Sequence, residues 1–194
     1  MTKIIAEIGW NHMGDLALAK QMIQNAKDNG ADFVKFQTWS VQRLKHGPWD
    51  DDGRLEIYKK AELSKDDHVS LKNFSESYGI PFFSSVFSIE DAKLLASIGV
   101  DTVKIASFES RNVELITYCY YNFDKIYLST GTSSVNEIRD TLRSLDVGKF
   151  VILHCISAYP LDYENCNLPR IESLKKWCPK VGYSDHTPGI EGSK

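Results

Sequence analysis

Residues 4–38 read IIAEIGWNHMGDLALAKQMIQNAKDNGADFVKFQT, and the order of patterns within them decides the fold. IIAEIG (4–9) and FVKFQ (33–37) are short, rich in β-formers and almost continuously apolar in their first halves, as strands buried on both faces are. Between them Leu16, Ala19, Met22, Ile23 and Ala26 recur at helical spacing and make one apolar face. Gly30 follows the helical run, where the chain needs a left-handed cap that glycine adopts at little cost. A strand, a helix and a second strand in this order make a parallel pair.

The same alternation continues outward. Further strands are expected at PFFSSV (81–86), TVKIAS (102–107), KIYLST (125–130), FVILHC (150–155) and VGYSDH (181–186). Ser64, Ser88 and Ser134 each precede an acid three residues on, at Asp67, Asp91 and Glu137, which marks helix starts; Gly79 and Gly99 mark stops. Seven strands without a clear reversal favour an α/β fold of the (β/α)8 TIM-barrel type over an open doubly wound sheet. No GxGxxG turn follows the first strand, which argues against a dinucleotide-binding fold. Segment 39–60 reads as an insertion with turns at Gly47-Pro48 and Asp50-Asp51-Asp52-Gly53, placed where an active-site lid would sit. The seventh strand ends near His186 and the sequence at Lys194. A barrel takes eight strands and about 250 residues, so residues 1–194 are expected to be a partial barrel, a fragment of a catalytic domain.

Composition narrows the function classes. The 194 residues are 42% hydrophobic and 25% charged, with a formal net charge of −3. Both signs are interspersed, so there is no basic stripe for nucleic acid and no like-charge tail. Apolar runs are strand-sized, which predicts no membrane span, and residues 1–10 lack the apolar region of a signal peptide. Cys119, Cys155, Cys166 and Cys178 share no CxxC spacing, so reduced thiols and a cytoplasmic location are expected.

In a barrel, catalytic side chains stand at the C-terminal ends of strands, and here those ends are polar. In chain order they carry Glu7; Lys35 and Gln37; Ser84 and Ser85; Lys104 and Ser107; Ser129 and Thr130; His154 and Ser157; then Ser184, Asp185 and His186. Lys35 and Lys104 lie between apolar neighbours, and a buried ammonium is costly unless paired. Glu7 and Asp185 are the evident internal partners, and an anionic ligand is a third. Two lysines with the hydroxyls of Ser107, Ser129, Ser157 and Ser184 suit a small phosphate ester. Among the histidines, His46 and His68 are expected to face solvent and His12 to shape the first loop. His154 reads either as a core histidine with a satisfied proton or as a functional one. His186, in a polar cluster, suits a metal or acid–base role, although one histidine is not a metal site. Tyr159-Pro160 reads as a turn. The stripe Tyr118, Tyr120, Tyr121 and Tyr127 reads as packing.

At this point the residues resemble a family. AEIGWNHMGD is similar to the AExGxNHxG opening of the sialic acid synthases, which include synthases of N-acetylneuraminate, legionaminate and pseudaminate. GADFVKFQT, KIASFE, LSTGT, LHCISAYP and VGYSDHTPGIE follow in that family's order and spacing, over the whole chain. The resemblance implies condensation of phosphoenolpyruvate with an open-chain N-acetylated hexosamine, N-acetylmannosamine or a relative, and water. It places phosphoenolpyruvate on Lys35, Lys104, Ser107, Ser129 and Ser184. Ser157 stands where many members have asparagine, a hydroxyl in place of an amide at that phosphate or carboxylate contact. It gives Glu7 a sugar contact and proton transfer, Gln37 and Tyr159 sugar contacts, and His186 one of two histidine ligands to manganese or magnesium. Phe108 brings KIASFE nearer to the pseudaminate type. The family's eighth strand, with the second metal histidine, and its C-terminal antifreeze-like domain lie outside this sequence. The 194 residues alone are therefore expected to be a weak or inactive catalyst, and the extended gene product active and a homodimer. Two other readings stand beside this one. A Schiff-base aldolase would use Lys35 or Lys104 as nucleophile, and a non-catalytic fragment would only bind anions or a partner chain.

Overall fold

All seven expected strands form: β1 (Ile5–Gly9), β2 (Phe33–Thr38), β3 (Phe82–Val86), β4 (Thr102–Ile105), β5 (Lys125–Ser129), β6 (Phe150–His154) and β7 (Val181–Tyr183). The computed structural model describes residues 2–44, 47 and 50–189. The expectations for His46, Pro48 and the final Ile190-Glu191 of the last motif lie outside the described residues. The chain divides between Val100 and Asp101 into two compact units.

In the first unit β1, β2 and β3 run parallel, with Glu7 opposite Lys35, Lys35 opposite Phe83, and Gln37 opposite Ser85. Side chains alternate along a strand, so this register puts Glu7, Lys35, Gln37 and Ser85 on one face. Phe36, Thr38 and Ser84 take the other. The helices are α1 (Leu16–Asp28), α2 (Arg54–Ala61), α3 (Lys65–Ser77) and α4 (Ile89–Ser97). Ala19 and Ile23 of the expected α1 face are fully buried, and Phe36 stacks on Phe82 at 5.3 Å in the core. The expected capping box of α3 forms: Asp67 donates its backbone N–H to Ser64 Oγ, and Ser64 donates its own to the Asp67 carboxylate. Segment 39–60, beyond its turns, holds α2, whose Tyr58 ring meets Trp10 at 5.5 Å and Trp39 at 6.2 Å. Gly14 shows how tightly the first loop sits on α2. Its φ is +81°, and a Cβ there would stand 2.1 Å from the Lys60 carbonyl oxygen.

His68 corrects the sequence reading. It is fully buried on α3, not solvent-facing. Its Nδ1–H donates to the Ser64 carbonyl at 2.8 Å, and its Nε2 accepts from Thr38 Oγ1 at 2.8 Å; Thr38 Oγ1 in turn accepts from Ser84 Oγ at 2.7 Å. A buried imidazole is stable when both nitrogens are satisfied, and the partners that satisfy this one are the Ser64 carbonyl at the start of its own helix and the Thr38 hydroxyl of β2. His12 behaves as expected: its Nδ1 accepts from the Gly14 N–H at 3.0 Å and closes the first loop.

In the second unit β4 to β7 are parallel neighbours, with Lys104 opposite Tyr127, Ser129 opposite Leu153, and Leu153 opposite Gly182. Helices α5 (Val113–Asn122), α6 (Val135–Leu142) and α7 (Pro169–Lys175) accompany them. The capping box at Ser134 and Glu137 forms as read. Two strands stop well before their expected ends. β4 stops at Ile105, so Ser107 lies in a single 3-10 turn, Ser107–Glu109. β7 stops at Tyr183, so Ser184, Asp185 and His186 lie in the following loop. Of the aromatic stripe, Tyr127 is buried, Tyr120 stacks on Phe150 and Tyr121 is exposed. All four cysteines are buried and free. Among the described residues no helix is long and apolar enough to cross a membrane.

Candidate functional site

Each unit carries its own group of polar residues at or just past the C-terminal ends of its strands. In the first, Lys35 is held by the register that sets it beside Glu7. Its side chain is 4% exposed, its Nζ lies 2.5 Å from Glu7 Oε2, and it donates to Ser85 Oγ at 2.7 Å. A buried ammonium costs several kcal/mol when left bare; a carboxylate and a hydroxyl offset that cost here. The Glu7 side chain is 50% exposed, so it meets solvent on one side and the ammonium on the other. A bulge between Glu7 and Gly9 and a positive φ of 58° at Gly9 turn the chain so that Glu7 Oε1 rests against the glycine. Gln37, two residues beyond Lys35, is half-buried on the same face. Ser85 was legible as a polar strand end, but its role as the hydroxyl partner of Lys35 was not.

In the second unit Ser107 is the centre of the arrangement. Its Oγ accepts the Gly131 N–H at 3.1 Å and lies 3.1 Å from Cys155 Sγ; its carbonyl accepts Thr132 Oγ1–H at 2.6 Å. A Cβ on Gly131 would stand 2.5 Å from Ser157 Oγ, 3.0 Å from Cys155 Sγ and 3.2 Å from Ser107 Oγ. Only glycine lets the turn after β5 approach these side chains so closely; in the sequence Gly131 was only part of the LSTGT match and Cys155 only a reduced thiol, neither of them a site residue. Ser129, at the end of β5, is buried, and its Oγ has no hydrogen-bond partner among the described residues. A buried hydroxyl left unpaired costs about 1–3 kcal/mol, which a ligand oxygen would recover. Lys104 is half-buried in β4. Asp185, expected as a possible lysine partner, instead accepts from the Thr187 N–H and hydroxyl and from Tyr183 O–H. Ser184 is held by its backbone N–H, which donates to the His154 carbonyl at 2.9 Å.

The histidines of this unit divide. His154 is the core histidine of the two readings: its Nε2–H donates to the Cys166 carbonyl at 2.7 Å, and burial pushes its pKa down. His186 is held differently. Its Nδ1–H donates to the Ile156 carbonyl at 2.6 Å, which leaves the lone pair on Nε2, and Tyr159 O–H donates to that atom at 3.0 Å. A backbone carbonyl on one ring nitrogen is how metal-ligating histidines are commonly fixed, so His186 fits as one nitrogen ligand. Among the described residues no group of three histidine, cysteine or acidic side chains completes a metal site.

Comparison with known proteins shows what the chain is similar to. The model of the NeuB family matches residues 22–193. An N,N'-diacetyllegionaminic acid synthase of Legionella pneumophila is 37% identical over 206 residues, covering 96% of this chain and 58% of the relative. A pseudaminic acid synthase of Helicobacter pylori is 35% identical, covering 96% of this chain and 59% of the relative. The crystal structure of an N-acetylneuraminic acid synthetase from Leptospira borgpetersenii, in complex with citrate, superposes with a TM-score of 0.88 at 36% identity, covering 97% of this chain and 66% of that one. The chain thus spans a little under two thirds of the length of these relatives. Its fold class is α/β of the (β/α)8-barrel type.

Proposed function

This chain belongs to the NeuB family, and from that premise we propose that the protein condenses phosphoenolpyruvate with an N-acetylated amino-sugar aldehyde and water, giving a sialic-type acid and phosphate. The observation that carries the reading is the buried ammonium of Lys35 fixed between Glu7 and Ser85, in a chain 35–37% identical to synthases of two such acids. The methylene carbon of phosphoenolpyruvate forms the new bond to the aldehyde carbon, water adds at the enol carbon, and phosphate leaves with carbon–oxygen cleavage. Lys35 and Lys104 supply fixed positive charge where negative charge develops, with no reorganisation at the moment of reaction. Ser107, Ser129 and Ser184 donate hydroxyls to phosphate or carboxylate oxygens, and Ser157 does so where relatives use an amide. Glu7, half in solvent and touching Lys35, is the proton-transfer group; Gln37 and Tyr159 contact the sugar. A divalent ion, manganese or magnesium, would be held by His186 Nε2 and further ligands, and when bound would polarise the aldehyde as a Lewis acid.

The aldolase reading is weaker on a specific point. A Schiff-base lysine is activated by burial or a neighbouring cation, whereas Lys35 Nζ lies 2.5 Å from a carboxylate oxygen of Glu7. The test is phosphate release from phosphoenolpyruvate by the full-length protein with manganese and a panel of N-acetylated hexosamines. Release with one sugar and not without it is the expected result. A borohydride-trapped adduct with pyruvate, or no release with any sugar, overturns the proposal.

A further inference from the structure

Arg170, on the first turn of α7, makes contacts that the proposed chemistry does not use. Its Nη1 and Nη2 both donate to the Thr130 carbonyl at 3.1 Å, and Nη2 also donates to the Ser133 carbonyl at 2.5 Å. Nη1 lies 3.4 Å from His154 Nδ1. The acceptors are two main-chain oxygens of one turn and a histidine lone pair, with no carboxylate among these bonds. An ammonium is a point charge, but a planar guanidinium can grip two carbonyls at once. The turn it grips, 130–133, is closed by its own bond from the Ser133 N–H to the Thr130 carbonyl. On its other side that turn holds Ser107, through the Gly131 N–H and the Thr132 hydroxyl.

We propose that Arg170 is a positioning residue, which clamps the 130–133 turn so that the turn in turn fixes the Ser107 hydroxyl. The chain of contacts is continuous: guanidinium to Thr130 and Ser133 carbonyls, turn to Gly131 N–H, Gly131 N–H to Ser107 Oγ. Among the described residues the hydrogen bonds of Arg170 go to Thr130, Ser133 and His154, none of them assigned to either substrate. Loss of its planar grip lets the turn shift, and a shift of about 1 Å in a binding group costs up to about 100-fold in rate. The catalytic consequence rests on the synthase reading; the structural one does not.

Two variants of the full-length protein test this, R170K and T132V. Lysine keeps the charge but not the two-carbonyl grip. Thr132 is exposed, so its hydroxyl can be removed without disturbing the core. In R170K the amide of Gly131 is expected to exchange hydrogen about tenfold faster, while amides of β2 in the first unit are unchanged. The KM for phosphoenolpyruvate should rise about tenfold with the amino-sugar KM within about twofold, and T132V should give the same split at about threefold. Unchanged exchange at Gly131 in folded R170K overturns the clamp, as does a parallel rise in both KM values. If R170K does not fold, R170Q takes its place, and a Gly131 exchange rate equal to that of the wild type in folded R170Q overturns the clamp. If the wild-type protein turns over no amino sugar, the synthase reading fails, and the Gly131 exchange rate still decides the clamp.

Discussion

A lysine inside a parallel ladder survives only where something nearby carries the opposite charge, and at Lys35 that something is Glu7. The spacing of VKFQ announced a costly ammonium, and β1–β2 register supplied its partner. Glu7→Gln keeps the shape and removes the charge. It should lower stability by about 1.5–3 kcal/mol, the worth of a hydrogen bond to a charged group, and lower kcat at least about tenfold. Urea unfolding and steady-state turnover check the two effects separately. The buried histidines give a second prediction. Burial lowers the pKa of His68 below its ordinary 6.5, and it lowers those of His12 and His154 likewise. The unfolded chain therefore binds more protons than the folded one as pH falls below about 6.5, so their contribution is whole above that pH and is lost as acid protonates them. The urea midpoint should fall between pH 7.5 and 5, and His68→Gln should flatten that slope. A slope unchanged in the variant would show that His68 does not contribute. Why these histidines were harder to read than the lysines is physical. Apolar neighbours in sequence single out a lysine within a strand, but His68 is satisfied by Thr38, which is brought to it from a distant strand.

At the scale of elements, strands and caps were the legible part, because they are encoded locally. Seven apolar runs became seven strands, and the serines before Asp67 and Glu137 became reciprocal caps. Ser134→Ala should cost about 1 kcal/mol and shorten α6, measurable by thermal unfolding. The strand ends were less legible. Ser107 and His186 leave the ladder because β4 and β7 stop at Ile105 and Tyr183, which frees their backbones to turn. Tight approaches between elements left almost no trace in the sequence. Gly14 looks like any loop glycine, yet its missing Cβ is what lets the first loop meet the Lys60 carbonyl. Gly14→Ala combines a positive φ with that clash and should destabilise the first unit by more than about 2 kcal/mol. Hydrogen exchange localised to α1 and α2 would show it.

For the whole molecule, similarity runs over 96% of this chain but 58% of the Legionella relative, so the activity proposed is that of the full-length protein. The two groups of residues, around Lys35 in the first unit and around Ser107 in the second, are what this chain brings to it. The alternative uses of such groups differ in which bond of phosphoenolpyruvate breaks. A phosphatase or a phosphoryl carrier cleaves phosphorus–oxygen; a synthase of this kind cleaves carbon–oxygen, and the bridging oxygen departs with the phosphate. Turnover of the full-length protein in 18O-labelled water, with mass analysis of the released phosphate, reads that choice directly. Phosphate free of 18O, formed only when an N-acetylated hexosamine is present, is the expected product. Phosphate carrying one 18O, or formed equally well without the sugar, would contradict the proposed condensation.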